Sequence, residues 1–196
     1  DNPGFFTYGG NIYITDVKIT EIYNDNAEFV IDGANLAVTD EGKVDIDVAL
    51  SFDKTQYIYT KYFDGTYTYS DSDKMKFGVV MAMADSQVPQ EIEVGTDGVT
   101  NTVFTTFTQD DSEIDFTYSI SVPEENYDKF YTVRPYVVIE GAYTYGEAKA
   151  YSAAELANGI YAFSDDDALK EKLADVFADS SVFVGKDAKK LTFTLF

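Results

Sequence analysis

Apolar residues at alternate positions, repeated in run after run, restrict this chain to β-structure. Val44, Ile46, Val48, Leu50 and Phe52 share one parity, and Asp45, Asp47 and Ser51 take the other. Successive side chains of a strand point to opposite faces, so this run predicts a half-buried strand. Ile114, Phe116, Tyr118 and Ile120 repeat the pattern, and Val133, Tyr136 and Val138 lie in a further run. Between Ile12/Ile14 and Val17/Ile19 the phase slips, which predicts a bulge near Thr15–Asp16.

Turn signals separate the runs. Asp64–Gly65 joins Tyr57–Phe63 to Thr66–Ser70 as a two-residue hairpin. Glu41–Gly42, Asp97–Gly98 and Glu140–Gly141 are further turns. Short strands at this spacing indicate antiparallel sheets closed into a sandwich or barrel. Helix comes late. Ser152-Ala-Ala-Glu155 reads as a capping box opening a short helix that Asn158–Gly159 stops. Ser164 is expected to cap a second helix, with Asp165, Asp166 and Asp167 at the positive end of its dipole and Leu169, Leu173, Val176 and Phe177 as its apolar stripe. A last strand spans Leu191–Phe196. The division expected is a sandwich over 1–151, N-terminal strands included, then two helices and a terminal strand over 152–196, packed on the sandwich or exchanged with it.

Composition narrows the function classes. The 196 residues include no histidine, cysteine or tryptophan, but 16 tyrosines and 15 phenylalanines. Imidazole and thiol serve most catalysis near neutral pH and most transition-metal sites, so their absence removes serine–histidine triads, cysteine nucleophiles and zinc centres together. Thirty-five acidic residues against 14 basic ones leave a net charge of -21, which argues against nucleic acid and anionic membrane surfaces. No apolar run approaches the ~20 residues of a membrane helix. An N-terminal Asp1 fits a chain matured by signal-peptide removal or an excised domain. At 45% hydrophobic residues an ordinary core is feasible, without disulfides.

The stretch Phe130-Tyr-Thr-Val-Arg-Pro-Tyr136, followed by Gly141 and Tyr145-Gly-Glu147, resembles the F and G strands of bacterial fibronectin type III-like domains. The preceding Ile120–Tyr127 falls where that family has its E–F corner, with Tyr127 in the place of the corner tyrosine. The resemblance covers about thirty residues closely and Lys43 to Ser152 by architecture. It implies an immunoglobulin-like or fibronectin-like β-sandwich of the kind carried by surface adhesins and by accessory parts of polysaccharide-degrading enzymes. Fold rather than function is what it carries.

Two sets of residues stand out as contact sites. In the hairpin, Tyr62 and Tyr67 pair on one face along with Tyr69, while Tyr57 and Tyr59 point to the other; these five tyrosines form a platform for a sugar ring or a protein. Tyrosine is also a good strand former, so cross-strand packing is the first expectation for them. The second set is the two termini: Phe5, Phe6 and Tyr8, and Leu191, Phe193, Leu195 and Phe196. The end strand is apolar and free of charged side chains and proline, hence prone to pair, either within its own sheet or with a neighbouring subunit. Acid clusters at Asn24–Glu28, Asp71/Asp73, Asp110–Glu113 and Asp165–Asp167 lack the glycine-bearing twelve-residue calcium loop, so solvated acidic loops are the first expectation, helix capping for the last, with one weak calcium site as the alternative. Lys18 and Lys43 could supply a lysine–asparagine crosslink, with no pattern marking a partner.

The expectation from sequence is thus a mainly β, antiparallel sandwich with a short C-terminal helical elaboration. It is non-enzymatic, secreted or at the cell surface, and needs no cofactor. It acts as a structural subunit or adhesive module through self-association or contact with other surface proteins. The alternative is a carbohydrate-binding module using the tyrosine hairpin.

Overall fold

The computed structural model describes residues 29–53, 75–105, 108–109, 113–139 and 141–185. Among the described residues, two antiparallel sheets and two short α-helices form the fold. Sheet A has the order β1-β2-β6-β5, built from β1 (Phe29–Val38), β2 (Val44–Asp53), β6 (Glu113–Val122) and the two-residue β5 (Thr108–Gln109). Sheet B has the order β4-β3-β7-β8, from β4 (Thr100–Val103), β3 (Met75–Ala84), β7 (Phe130–Ile139) and β8 (Ala142–Tyr145), with β9 (Lys149–Ser152) also paired to β7.

The alternation read from sequence sets the faces. Val44, Ile46, Val48, Leu50 and Phe52 of β2 are buried, as are Ile114, Phe116 and Ile120 of β6. Opposite them, sheet B turns Phe77, Val79, Tyr131, Val133 and Val137 inward to the same core. Edge-on phenylalanine contacts join the two sheets: the Phe77 ring lies 5.3 Å from Phe29 and 5.0 Å from Phe52. The open, facing sheets are consistent with a β-sandwich. On its outward side, sheet A places Asp45 against Ser121 and Asp47 against Ser119, with both hydroxyls donating to carboxylates at 2.6 and 2.5 Å.

The turns expected at Gly42, Gly98 and Gly141 are present, with φ of 78°, 75° and 88°. The helices α1 (Ala153–Phe163) and α2 (Asp167–Val176) bury Ala153, Ala154, Ala157 and Leu173 in the inter-sheet core, and Phe177 joins them just past α2. Leu169 and Val176 pack at its edge, so the expected apolar stripe of α2 is realised.

Three local expectations are corrected. Asn158–Gly159 does not stop α1, which continues to Phe163, because the Asn158 amide bonds another segment and leaves the helical backbone intact. Ser164 closes α1 rather than opening α2; its N–H donates to the Ile160 carbonyl at 2.8 Å. Asp166 caps α2 instead, its carboxylate accepting from Leu169 N at 3.1 Å. Ser152 does occupy the N-cap of α1, but its hydroxyl donates to the Tyr127 carbonyl at 3.1 Å and caps nothing. The hairpin at Asp64–Gly65 and the bulge near Thr15–Asp16 lie outside the described residues.

Candidate contact surface

Sheet B has a second apolar face. Its outward side carries Val80, Ala82 and Tyr136, covered by Ile92 from the 85–99 connection, with Val94, Val99, Val138 and Tyr145 packed around them. Pairing register brings Tyr136 opposite Tyr145, and Val138 opposite Tyr143. The three tyrosines form a cluster: Tyr143 and Tyr145 are nearly parallel, 14° apart with centroids at 5.9 Å, and Tyr136 is tilted against them at 5.4 and 5.8 Å.

The inner part of this cluster is fastened. Tyr136 is 1% exposed, and its hydroxyl donates to Asn101 Oδ1 at 2.7 Å. Burial pushes its phenol up, more than the Asn101 bond draws it down. Tyr145 accepts a hydrogen bond from Val94 N at 3.0 Å, and the Arg134 guanidinium lies 4.8 Å over its ring. Arg134 also donates to the carbonyls of Gly146 (3.1 Å) and Ile92 (3.3 Å) and pairs with Glu91 at 2.8 Å. The single arginine therefore ties the 91–94 loop to β7 and to the β8–β9 junction. Tyr143, in contrast, is 48% exposed. A half-exposed ring backed by immobilised ones loses little freedom when a partner settles on it, which suits recognition by contact.

Other polar groups serve as fasteners at the helical end. The Asp128 carboxylate accepts from the Ser180 hydroxyl, and from Ser181 N and Oγ at 2.9 and 2.6 Å. Partial burial pushes this carboxyl up, but the bonds from Ser180, Ser181 and the Val182 backbone outweigh it and hold it below its ordinary value. Asn158, 3% exposed, donates through Nδ2 to the Val182 carbonyl and accepts at Oδ1 from Val184 N, both at 2.8 Å. Lys172 donates to the Val38 carbonyl at 3.0 Å and Asp40 at 3.1 Å, tying α2 to the β1–β2 turn. Burial raises the Glu155 carboxyl above its ordinary value.

All the contact residues expected from sequence lie outside the described residues: Tyr57, Tyr59, Tyr62, Tyr67 and Tyr69 of the hairpin, and Phe5, Phe6, Tyr8, Leu191, Phe193, Leu195 and Phe196 of the ends. Among the described residues, no group of three or more acidic side chains is arranged to hold a metal ion, Asp165–Asp167 included. Tyr143 was not singled out by sequence, although its alternation with Tyr145 just after a glycine turn was available as a signal. Among the described residues no helix is long and apolar enough to cross a membrane. No family model, curated protein or solved structure matches the sequence.

Proposed function

We propose that this protein is a non-enzymatic module of an extracellular bacterial surface assembly, a structural or adhesive unit built as a fibronectin type III-like sandwich. The observation that carries the reading is the strand order. Sheets of order β1-β2-β6-β5 and β4-β3-β7-β8, antiparallel and facing across one core, support a sandwich of this kind. The Phe130–Tyr136 and Tyr145 motifs that carry the resemblance fall on the neighbouring strands β7 and β8, which supports the reading. The roles taken by the partly buried polar groups support a scaffold: Arg134, Asp128, Asn158 and Lys172 each fasten a connecting segment to the sandwich.

Assembly proceeds in this reading by strand addition through the terminal segments, with self-association or other surface proteins as partners. The test is negative-stain electron microscopy of the purified protein with and without calcium, and of a form lacking residues 191–196. Filaments or sheets that vanish with the deletion support the subunit. Dispersed particles in every condition refute self-assembly.

A second reading, binding of a neutral glycan, draws on Tyr143. An exposed tyrosine ring beside fixed neighbours suits the C–H face of a sugar, and the charge of -21 disfavours acidic polysaccharides. Retarded migration in gels containing neutral polysaccharide, lost in Tyr143→Ala and kept when 191–196 are removed, would separate it from the first.

A further inference from the structure

Gly159 sits inside α1 with no evident reason to be glycine. A mid-helix glycine costs about 1 kcal/mol relative to alanine. Here a Cβ would meet nothing within 4 Å, so no close packing demands its absence. Its neighbour Asn158 is buried, and both of its amide atoms are committed to residues 182 and 184. The pair has a specific chemistry. An asparagine followed by glycine is the sequence most open to backbone attack on its own side chain, because glycine leaves the approach of the next amide nitrogen unobstructed.

We propose that Asn158–Gly159 is a conformation-gated covalent modification site that records release of the 180–185 segment. The Gly159 backbone nitrogen attacks Asn158 Cγ; the new N–C bond forms as the bond from Cγ to Nδ2 breaks, and ammonia leaves with the proton lost from the attacking nitrogen. Water then opens the resulting succinimide at either carbonyl, giving aspartate or isoaspartate at 158. No oxidant or cofactor takes part. In the docked state the reaction is blocked twice: the helical backbone of α1 holds the Gly159 nitrogen away from Cγ, and the two 2.8 Å bonds fix the amide. Release of 180–185 frees the amide, and α1, no longer tied at Asn158 to that segment, then opens locally and brings the Gly159 nitrogen to Cγ.

The product prevents re-docking. Aspartate at 158 sets a carboxylate against the Val182 carbonyl where an amide had donated, and a buried unpaired charge is strongly disfavoured. Isoaspartate adds a methylene to the backbone of α1 and breaks its hydrogen-bond register. The modification thus makes a transient opening permanent.

Peptide mapping by mass spectrometry, over a time course at mildly alkaline pH, reads the conversion at residue 158 directly. Conversion is expected to be roughly a hundredfold slower in the folded protein than in the urea-unfolded one, as local-opening protection implies. Ser180→Ala/Ser181→Ala, which removes the hydroxyls held by Asp128, is expected to speed it about tenfold in the fold, and Gly159→Ala to suppress it in both states. Hydrogen exchange at 180–185 confirms that the serine variant is folded and loosened, and in Asn158→Asp should show the same loosening. Equal rates in the folded and unfolded protein would overturn the gating. So would a loosened serine variant that converts no faster, and absence of conversion in urea would eliminate the site.

Discussion

Gly78 and Tyr136 face each other across β3 and β7, and each explains the other. The Tyr136 ring lies over the glycine, so a Cβ at position 78 would fall inside the ring's van der Waals boundary and 2.7 Å from the Thr102 carbonyl. Neither neighbour moves freely: the ring is wedged between Tyr143, Tyr145 and the Asn101 bond, and Thr102 is backbone of β4. Gly78→Ala should therefore destabilise by about 1–3 kcal/mol, the cost of overpacking, readable as a lower urea midpoint. Tyr136→Phe keeps the ring and loses only its hydrogen bond to an exposed partner, costing about 0.5–1.5 kcal/mol. A neutral Gly78→Ala would mean that the ring is not seated on the glycine.

At the scale of elements, α2 is held by its apolar stripe and by polar ties of different weight. Leu173 is fully buried, and Phe177 packs on Tyr127 with centroids at 4.6 Å. Leu173→Ala should cost about 2–5 kcal/mol, whereas Lys172→Ala, whose ion pair with Asp40 is exposed, should cost under about 1 kcal/mol; thermal unfolding of the two variants checks the ranking. These elements also mark what sequence made legible. The faces of β2 and β6 and the stripe of α2 followed directly from periodicity, because each has one dry side. The second core did not. β7 is apolar on both parities, at Val133 and Val137 inward and Tyr136 and Val138 outward, and its outer cover comes from the 85–99 connection, where sequence marked only the turn at Asp97–Gly98. The end of α1 was also hidden, since Asn158–Gly159 signals a stop unless the asparagine has a tertiary partner, and that partner lies more than twenty residues on. The candidate surface at Tyr143 depends on the same covered face, so it too became visible only with the register of β7 and β8.

For the whole molecule, charge and buried phenols set the response to solution conditions. A net charge of -21 makes the compact state self-repelling, so raising ionic strength from low values to ~0.15 M should raise the melting temperature by screening it. An unchanged or lower melting temperature would mean that the acidic groups are already locally compensated. Alkaline pH acts through a second route. Burial pushes the Tyr151 phenol up to about 12, and burial likewise raises Tyr127, Tyr131 and Tyr136, with nearby carboxylates adding at Tyr127 and Tyr131. In the unfolded state these phenols ionise near 10, so above that pH the unfolded state loses protons that the folded state retains. Their stabilising contribution is complete below pH ~10 and is lost as pH rises through each raised folded-state value, about 12 for Tyr151, in the window in which unfolding also relieves the growing negative charge. Circular dichroism and phenolate absorbance followed together should consequently move as one transition for the buried tyrosines. Complete phenolate formation with the β-signal intact would show that the fold does not hold these protons. The acid side has the opposite sign: Asp128 lies below its ordinary value, so its contribution is present at neutral pH and declines only as pH falls below ~3.8 and through its folded value, loosening the 180–185 segment there and not at the alkaline limit.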